Sequence, residues 1–392
     1  MPLPQTTSQY SGALVDIVLT CLVWGVTINS KKIASYLDYC CVGIGQKGMQ
    51  LAIGGAVGYL LTRIWTSLPE SWGTMAVFCF VGGHGTAASV GAIFETLGVH
   101  DMAGFGVLMS TLGLLSAICG GLLFINIGAR RGWTKYVNAE EVARNIRENG
   151  GLILLPVEKR TSMGMTRVSN DGINNLLFQI SMLLGVWWFG GKVIDIVTLL
   201  IPWCKHLPSI LDGIIGAIIV WPILCKLGLR ELVDRKVVTN ISGTCLDLVV
   251  LSAVSTLNLS LISNYWMPIL ILSAIIVVLT YVLDVWYMKR CAEEDWFEKA
   301  MLLYGMGTGT AATGIALVRA MDPNSESCAV EAQAVHNSSS ELLSMWWPAG
   351  IPMLAVSSLW TCIGIGTVYS VLALGLGWVL LRPRVKKLNV KR

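Results

Sequence analysis

The sequence predicts an all-α polytopic membrane protein, built as an inverted structural repeat that carries two re-entrant glycine-rich hairpins. Three observations lead there. The 392 residues are 54% hydrophobic and only 13% charged, with a mean hydropathy of +0.66, whereas a soluble domain carries about 25% charged residues. Apolar runs recur at the length needed to cross about 30 Å of hydrocarbon at 1.5 Å per residue. Two further apolar segments hold glycine clusters at their centres, and those clusters resemble each other.

Several classes fall away on composition alone. The 41 glycines show no Gly-X-Y period and no long polar tract surrounds them, which excludes a collagen and a disordered linker. A formal net charge of +4 is spread over loops and a basic tail (Arg382, Arg384, Lys386, Lys387, Lys391, Arg392), so no nucleic-acid partner is expected. None of the 11 cysteines forms a C-x-x-C pair and most lie inside apolar runs, where they read as small buried hydrophobes. Met1 to Tyr10 carry no Lys or Arg, so the apolar run that follows lacks the basic flank of a secretory signal and reads as a retained span.

In chain order the expected spans are 12–28, 40–62, 102–128, 172–201, 207–227, 243–263 and 266–288. The run 346–381 is long enough for one tilted helix with an extension or a tight pair of short ones. Residues 1–128 form a first repeat of three helices plus a hairpin near 72–94. Residues 129–171 form a cytoplasmic linker with an amphipathic stretch at 140–148. Residues 172–392 form the second half, with a hairpin near 296–320.

The glycine segments are Val81-Gly82-Gly83-His84-Gly85 and Gly305-Met306-Gly307-Thr308-Gly309. Each glycine costs a helix about 1 kcal/mol against alanine, and irregular backbone at membrane depth persists only where protein or water satisfies it. A glycine-rich helix packed closely on a neighbour fits either segment taken alone. The pair favours hairpins: Gly83 to Ser89 and Gly307 to Thr313 share Gly-x-Gly-Thr-Ala-Ala-Ser/Thr, and Ser11-Gly12 with Asp16 and Val18 matches Ser242-Gly243 with Asp247 and Val249. Two matches in one order at nearly one separation mark an internal repeat, a transporter signature.

If both glycine segments return to the side they enter, an odd number of crossings separates the copies and the repeat is inverted. Basic residues in the linker (Arg130, Arg131, Lys135, Arg144, Arg147, Lys159, Arg160, Arg167) and at Lys226, Arg230, Arg235 and Lys236 place both loops inside. The basic C-terminus agrees only if 346–381 forms a pair or the second glycine segment spans.

Unwound tips expose carbonyls that suit a sodium ion and helix N-termini that suit a carboxylate. Gly83, His84, Gly85, Thr86 and Ser89 on the first segment, and Gly307, Thr308, Gly309, Thr310 and Thr313 on the second, are therefore candidate binding residues. For each Thr and Ser the plainer alternative is a bond back to a helical carbonyl. A histidine at membrane depth is a functional candidate, although one satisfied by a carbonyl is equally consistent. Asn29 and Asp247 are further candidates, with Asp16, Asn258 and Asp284 as related polar residues and Arg319 as a carboxylate partner or headgroup anchor. No phosphate loop, metal cluster or nucleophile triad occurs and His84, His100, His206 and His336 lie far apart, so neither an enzyme nor a cofactor is expected.

At the hairpins the sequence resembles the bacterial sodium/glutamate symporter family. Gly82-Gly83-His84-Gly85-Thr86 reproduces its first re-entrant motif, Ser110 to Leu114 and Gly120-Gly121 continue it, and Gly305, Gly307, Gly309, Thr313 and Ala316 match the second. The resemblance implies a homodimeric secondary transporter of the cell (inner) membrane that couples sodium to uptake of L-glutamate, with both held where the tips meet and the metal ion on tip carbonyls. Three departures stand beside it. Two N-terminal helices of the family are missing from the first half, Thr310-Ala311-Ala312 replaces the usual Ala-Thr-Pro, and the tail is basic. The competing expectations are a sodium- or proton-coupled carrier of another carboxylate, a channel, and an incomplete non-transporting membrane subunit.

Overall fold

The computed structural model describes residues 34–136, 170–200, 210–255, 259–322, 326–344 and 346–391, with positions 14, 16–18, 20, 21, 24 and 25. Among the described residues every regular element is a helix. The helices are α1 (Leu37–Thr62), α2 (Ala76–Phe80) after a 3-10 turn at Trp72–Met75, α3 (Gly83–Thr96), α4 (Met102–Arg130), α5 (Asn170–Leu200), α6 (Ile210–Lys226) and α7 (Arg235–Ser255). They continue with α8 (Leu259–Cys291), α9 (Trp296–Thr308), α10 (Ala311–Met321), α11 (Ala329–Ser344), α12 (Trp347–Ser357) and α13 (Leu359–Lys391). Four of them are long and apolar enough to cross a membrane: α4, α5 over 175–199, α8 over 264–291 and α13 over 359–383.

Glycine sets the closeness of the central packing. A Cβ on Gly48 would lie 2.6 Å from the backbone of both Gly366 and Ser370, and one on Gly366 would lie 2.7 Å from Gly48 O. Small residues let two helix backbones approach in this way, which is how apolar helices associate without a hydrophobic driving force between them. Gly55 against Ile363 and Gly377 against Cys41 extend the seam, so α1 and α13 run antiparallel. Helix α1 also carries buried Asp38, Gln46, Lys47 and Gln50, which is why its composition falls short of a membrane span while its position is internal.

Both glycine segments are interrupted helices that fold back. Met75 and Ala87 both meet the space beside Gly106 of α4, Ser110 Oγ donates to Cys79 O at 3.2 Å, and His84 reaches Thr111 at 3.0 Å. The chain therefore climbs α4 through α2 and descends through α3, turning at Val81–Gly83, where Gly83 has a φ of +68° that favours glycine. In the second segment Gly305 and Gly314 pack backbone to backbone, and the turn falls at Gly309–Thr310. Contacts of α4 with the second segment run from Gly128 against Phe297 through Gly121 against Leu317 to Gly113 against Thr308 O. The two segments thus approach along α4 from opposite ends.

Two boundaries differ from expectation. The span expected at 243–263 begins earlier, at Arg235 of α7, and the one expected at 266–288 begins at Leu259 of α8; residues 256–258 lie outside the described residues. Pro268 lies inside α8 rather than at its start, because neighbouring helices can absorb the kink that a proline introduces. The run 346–381, expected as one tilted helix or a tight pair of short ones, is a short helix folded back on a long one: Trp347 stacks edge-on with Tyr369 at 5.1 Å and Cys362 Sγ lies 3.6 Å from Ile351 O. Short α12 therefore folds back on α13, with the turn at extended Ser358. The amphipathic stretch at 140–148 lies outside the described residues.

A Gly48→Ala substitution is expected to cost about 1–3 kcal/mol by overpacking, because the atoms it meets are backbone. Gly375, with nothing within 4 Å of its Cβ position, is the matched control. Thermal midpoints of the two alanine variants in detergent check this, and equal midpoints would remove the seam from its structural role.

Candidate functional site

The two breaks meet each other. A Cβ built on Gly83 would lie 2.9 Å from Thr310 Cγ2 and 3.5 Å from Gly309 O. The level is that of Gly113, near the middle of the 29-residue α4. Among the expected binding residues Gly83, His84, Gly85 and Thr86 lie at the first break, and Gly307, Thr308, Gly309, Thr310 and Thr313 lie at the second. The structure brings these together.

Their roles diverge in detail. Thr308 Oγ1 donates back to Tyr304 O at 2.7 Å, and Thr310 Oγ1 accepts from Thr313 N at 3.3 Å as the N-cap of α10. The hydroxyls of Thr310 and Thr313 lie 2.9 Å apart. The second break is therefore closed on itself. At the first break Gly82 offers no side-chain cap to α3, while His84, Gly85 and Thr86 are half-buried. The amide end of α3 is open, with the His84 imidazole beside it and Thr111 Oγ1 as its partner. Ser89, one turn deeper, is buried with an unpartnered Oγ.

Asp247 is exposed on α7, and Arg319 is exposed at the far end of α10; neither joins the breaks. Asn29 and Asn258 lie outside the described residues. Asp16 is buried and its Oδ1 lacks a donor.

Sequence reasoning missed a polar layer directly behind the second break. Gln46 Nε2 donates to Asp284 Oδ2 at 3.2 Å and Leu303 O at 3.3 Å. Gln50 Nε2 donates to Gly307 O at 2.7 Å and Thr280 Oγ1 at 3.1 Å. Gln46, Gln50, Thr280 and Asp284 are 0% exposed. A side chain at Gly307 would collide with the Gln46 amide, which gives that glycine its reason. The one available signal was Asp284 within a long apolar run.

The second segment is tied down at its base. Asp295 Oδ1 accepts from Lys135 Nζ at 3.1 Å and Tyr136 OH at 2.9 Å, and Oδ2 accepts from Cys328 N at 3.0 Å. Asp322 accepts from the amides of Glu326 and Ser327 at 2.9 and 2.7 Å. Lys299 pairs with Asp38 at 2.8 Å, both buried. A cavity of about 470 Å³ opens beside this pair, lined by Tyr36, Glu293, Glu294 and Cys328 among others. It lies at the start of α1, away from the breaks.

No family model, curated protein or solved structure matches the chain.

Burial pushes the Asp295 carboxyl up, but the Cys328 amide, Lys135 and Tyr136 outweigh it and hold the group below its ordinary value of 3.8. Asp322 is held low in the same manner: burial is outweighed by the Ser327 hydroxyl and the amides of Glu326 and Ser327. A depressed carboxyl stabilises the fold above the unfolded-state value and loses that contribution as pH falls through the folded-state value. Thermal midpoints measured from pH 7 to 3 are expected to fall below about pH 4, and Asp295→Asn to flatten that fall. An unchanged profile in the variant would remove Asp295 from the clamp.

Proposed function

We propose that the chain is a multi-pass secondary active transporter of the cell (inner) membrane that couples sodium entry to uptake of L-glutamate. In this reading the two folded-back segments are re-entrant hairpins of an inverted repeat. The observation that carries it is the meeting of two chain breaks, reached from opposite ends, at mid-height of a helix long enough to cross a membrane. Backbone is left irregular at such depth where it serves a binding site.

The open end of α3 supplies the substrate chemistry. Amides at a helix N-terminus attract a carboxylate, and α3 leaves them without a side-chain cap beside His84. An amino acid with two carboxylates has one for the amides and one for a second donor such as the imidazole. The motif resemblance at Gly82 to Thr86 supports glutamate among such anions. Each sodium moving down the membrane potential supplies about 2.3 kcal/mol per 100 mV, and one half rocking against the other alternates access.

Labelled L-glutamate uptake into proteoliposomes tests the reading. An inward sodium gradient should drive saturable accumulation that an equal potassium gradient does not. Accumulation of another carboxylate in place of glutamate would keep the carrier and change its substrate, and no solute flux in folded protein would overturn it. His84→Ala is expected to raise the apparent KM about tenfold, since a hydrogen bond to a charged group contributes about 1.5–3 kcal/mol. An unchanged KM would leave His84 as a brace on Thr111. Gly85→Leu should abolish uptake while the protein remains in the membrane.

A further inference from the structure

The polar layer behind the second break is built from three helices, each giving two residues one turn apart. They are Gln46 and Gln50 on α1, Thr280 and Asp284 on α8, and Leu303 and Gly307 on α9. Positions four apart share a helix face. The hydrogen bonds sort them into two tiers, Gln46 with Asp284 and Leu303, and Gln50 with Thr280 and Gly307.

In both tiers the glutamine N–H donors are spent and acceptors are left over. Asp284 Oδ1, Gln46 Oε1 and Gln50 Oε1 are buried and receive no hydrogen bond. Asp284 forms no ion pair among the described residues. Buried oxygens without donors each cost about 1–3 kcal/mol, and more when charged, so three on two adjoining tiers favour a positive species. Protonating Asp284 gives one O–H for one amide oxygen and leaves the Thr280 hydroxyl for the other, so a proton is the competing occupant that a salt titration separates. A hard cation accepts a carboxylate and neutral amide or hydroxyl oxygens as ligands and supplies the charge that a neutral donor lacks.

We infer that Asp284, Gln46 and Gln50, with the Thr280 hydroxyl, form a sodium site between α1, α8 and α9, directly behind the second chain break. Charge selects the valence. One carboxylate among neutral oxygens balances a single positive charge, and no group of three or more His, Cys, Asp or Glu occurs among the described residues to hold a metal of higher charge. The site sets the ion on side-chain oxygens behind the tip, next to Gly307 O, which the Gln50 amide holds. Ion and second break are then linked: the glutamines that would hold sodium are those that satisfy the carbonyls of α9. This inference rests on the reading of the chain as a sodium-coupled carrier and gives its coupling ion an address.

Thermal unfolding of the purified full chain, without substrate, tests the site apart from transport. Sodium chloride is titrated against potassium chloride and choline chloride at constant ionic strength. Sodium should raise the midpoint saturably, as expected for a ligand of the native state. Asp284→Asn should abolish the sodium-specific rise, and Gln50→Ala should displace the titration midpoint at least tenfold to higher sodium. Should Asp284→Asn fail to fold, Thr280→Val is the second variant, with a displacement in the same direction. Equal rises in all three salts, or a wild-type response in the variants that fold, would overturn the site. So would stabilisation by acid alone, which would make Asp284 a proton carrier. Sodium binding lost in Asp284→Asn but without glutamate uptake in the native chain would sustain the site and sink the substrate assignment. Sodium-driven glutamate uptake that survives unchanged in Asp284→Asn would do the reverse.

Discussion

Breaking a helix inside an apolar interior frees carbonyls on one side and amides on the other, and each has to find a partner locally. Much of this structure follows from that requirement at the second break. Gly309 N returns to Gly305 O at 3.0 Å, Thr308 Oγ1 covers Tyr304 O, and Gln50 crosses from α1 to cover Gly307 O. On the far side Thr310 caps the first amides of α10. Helix α1 therefore has to be polar at Gln46 and Gln50, although it is buried, and Gly307 has to be glycine so that the Gln46 amide fits against the backbone.

The same requirement separates the two breaks in character. Residues 305–309 are fully buried, whereas Val81, Gly82, His84, Gly85 and Thr86 are half-buried. At the second break Gly307 O, the Thr308 and Thr310 hydroxyls and the Gly309 and Thr313 amides all have protein partners. The first has an uncapped helix start and a histidine whose hydrogen-bond partner is a threonine on α4. Two similar sequences thus differ in local bonding, because one carries a threonine cap and the other a histidine.

Close packing makes this arrangement possible. The seam of α1 with α13, the Gly73 contact with Gly54 and Gly58, and the Gly305 contact with Gly314 all bring backbones to distances that exclude a Cβ. Aromatic contacts then fill the outer layer, including Phe124 stacked on Tyr281 at 3.5 Å and Trp286 on Trp378 at 5.1 Å. The base of the second segment is held by charge instead: Lys135 and Tyr136 come from beyond α4 to Asp295, which joins the end of one helix to the root of the other.

The sequence by itself determined an apolar helical protein, the places where glycine would interrupt it, and the residues at those interruptions, because each is a local property of composition or spacing. His84 and the threonines were legible for that reason. Helix boundaries inside continuous apolar sequence, such as the turn at Ser358 between α12 and α13, were not, since hydropathy is unchanged across them. Only the tertiary structure decided that Gln46, Gln50, Thr280 and Asp284 belong together. They lie on helices far apart in the chain, and an amide in an apolar helix has no assignable role until the carbonyl it must satisfy has been brought to it.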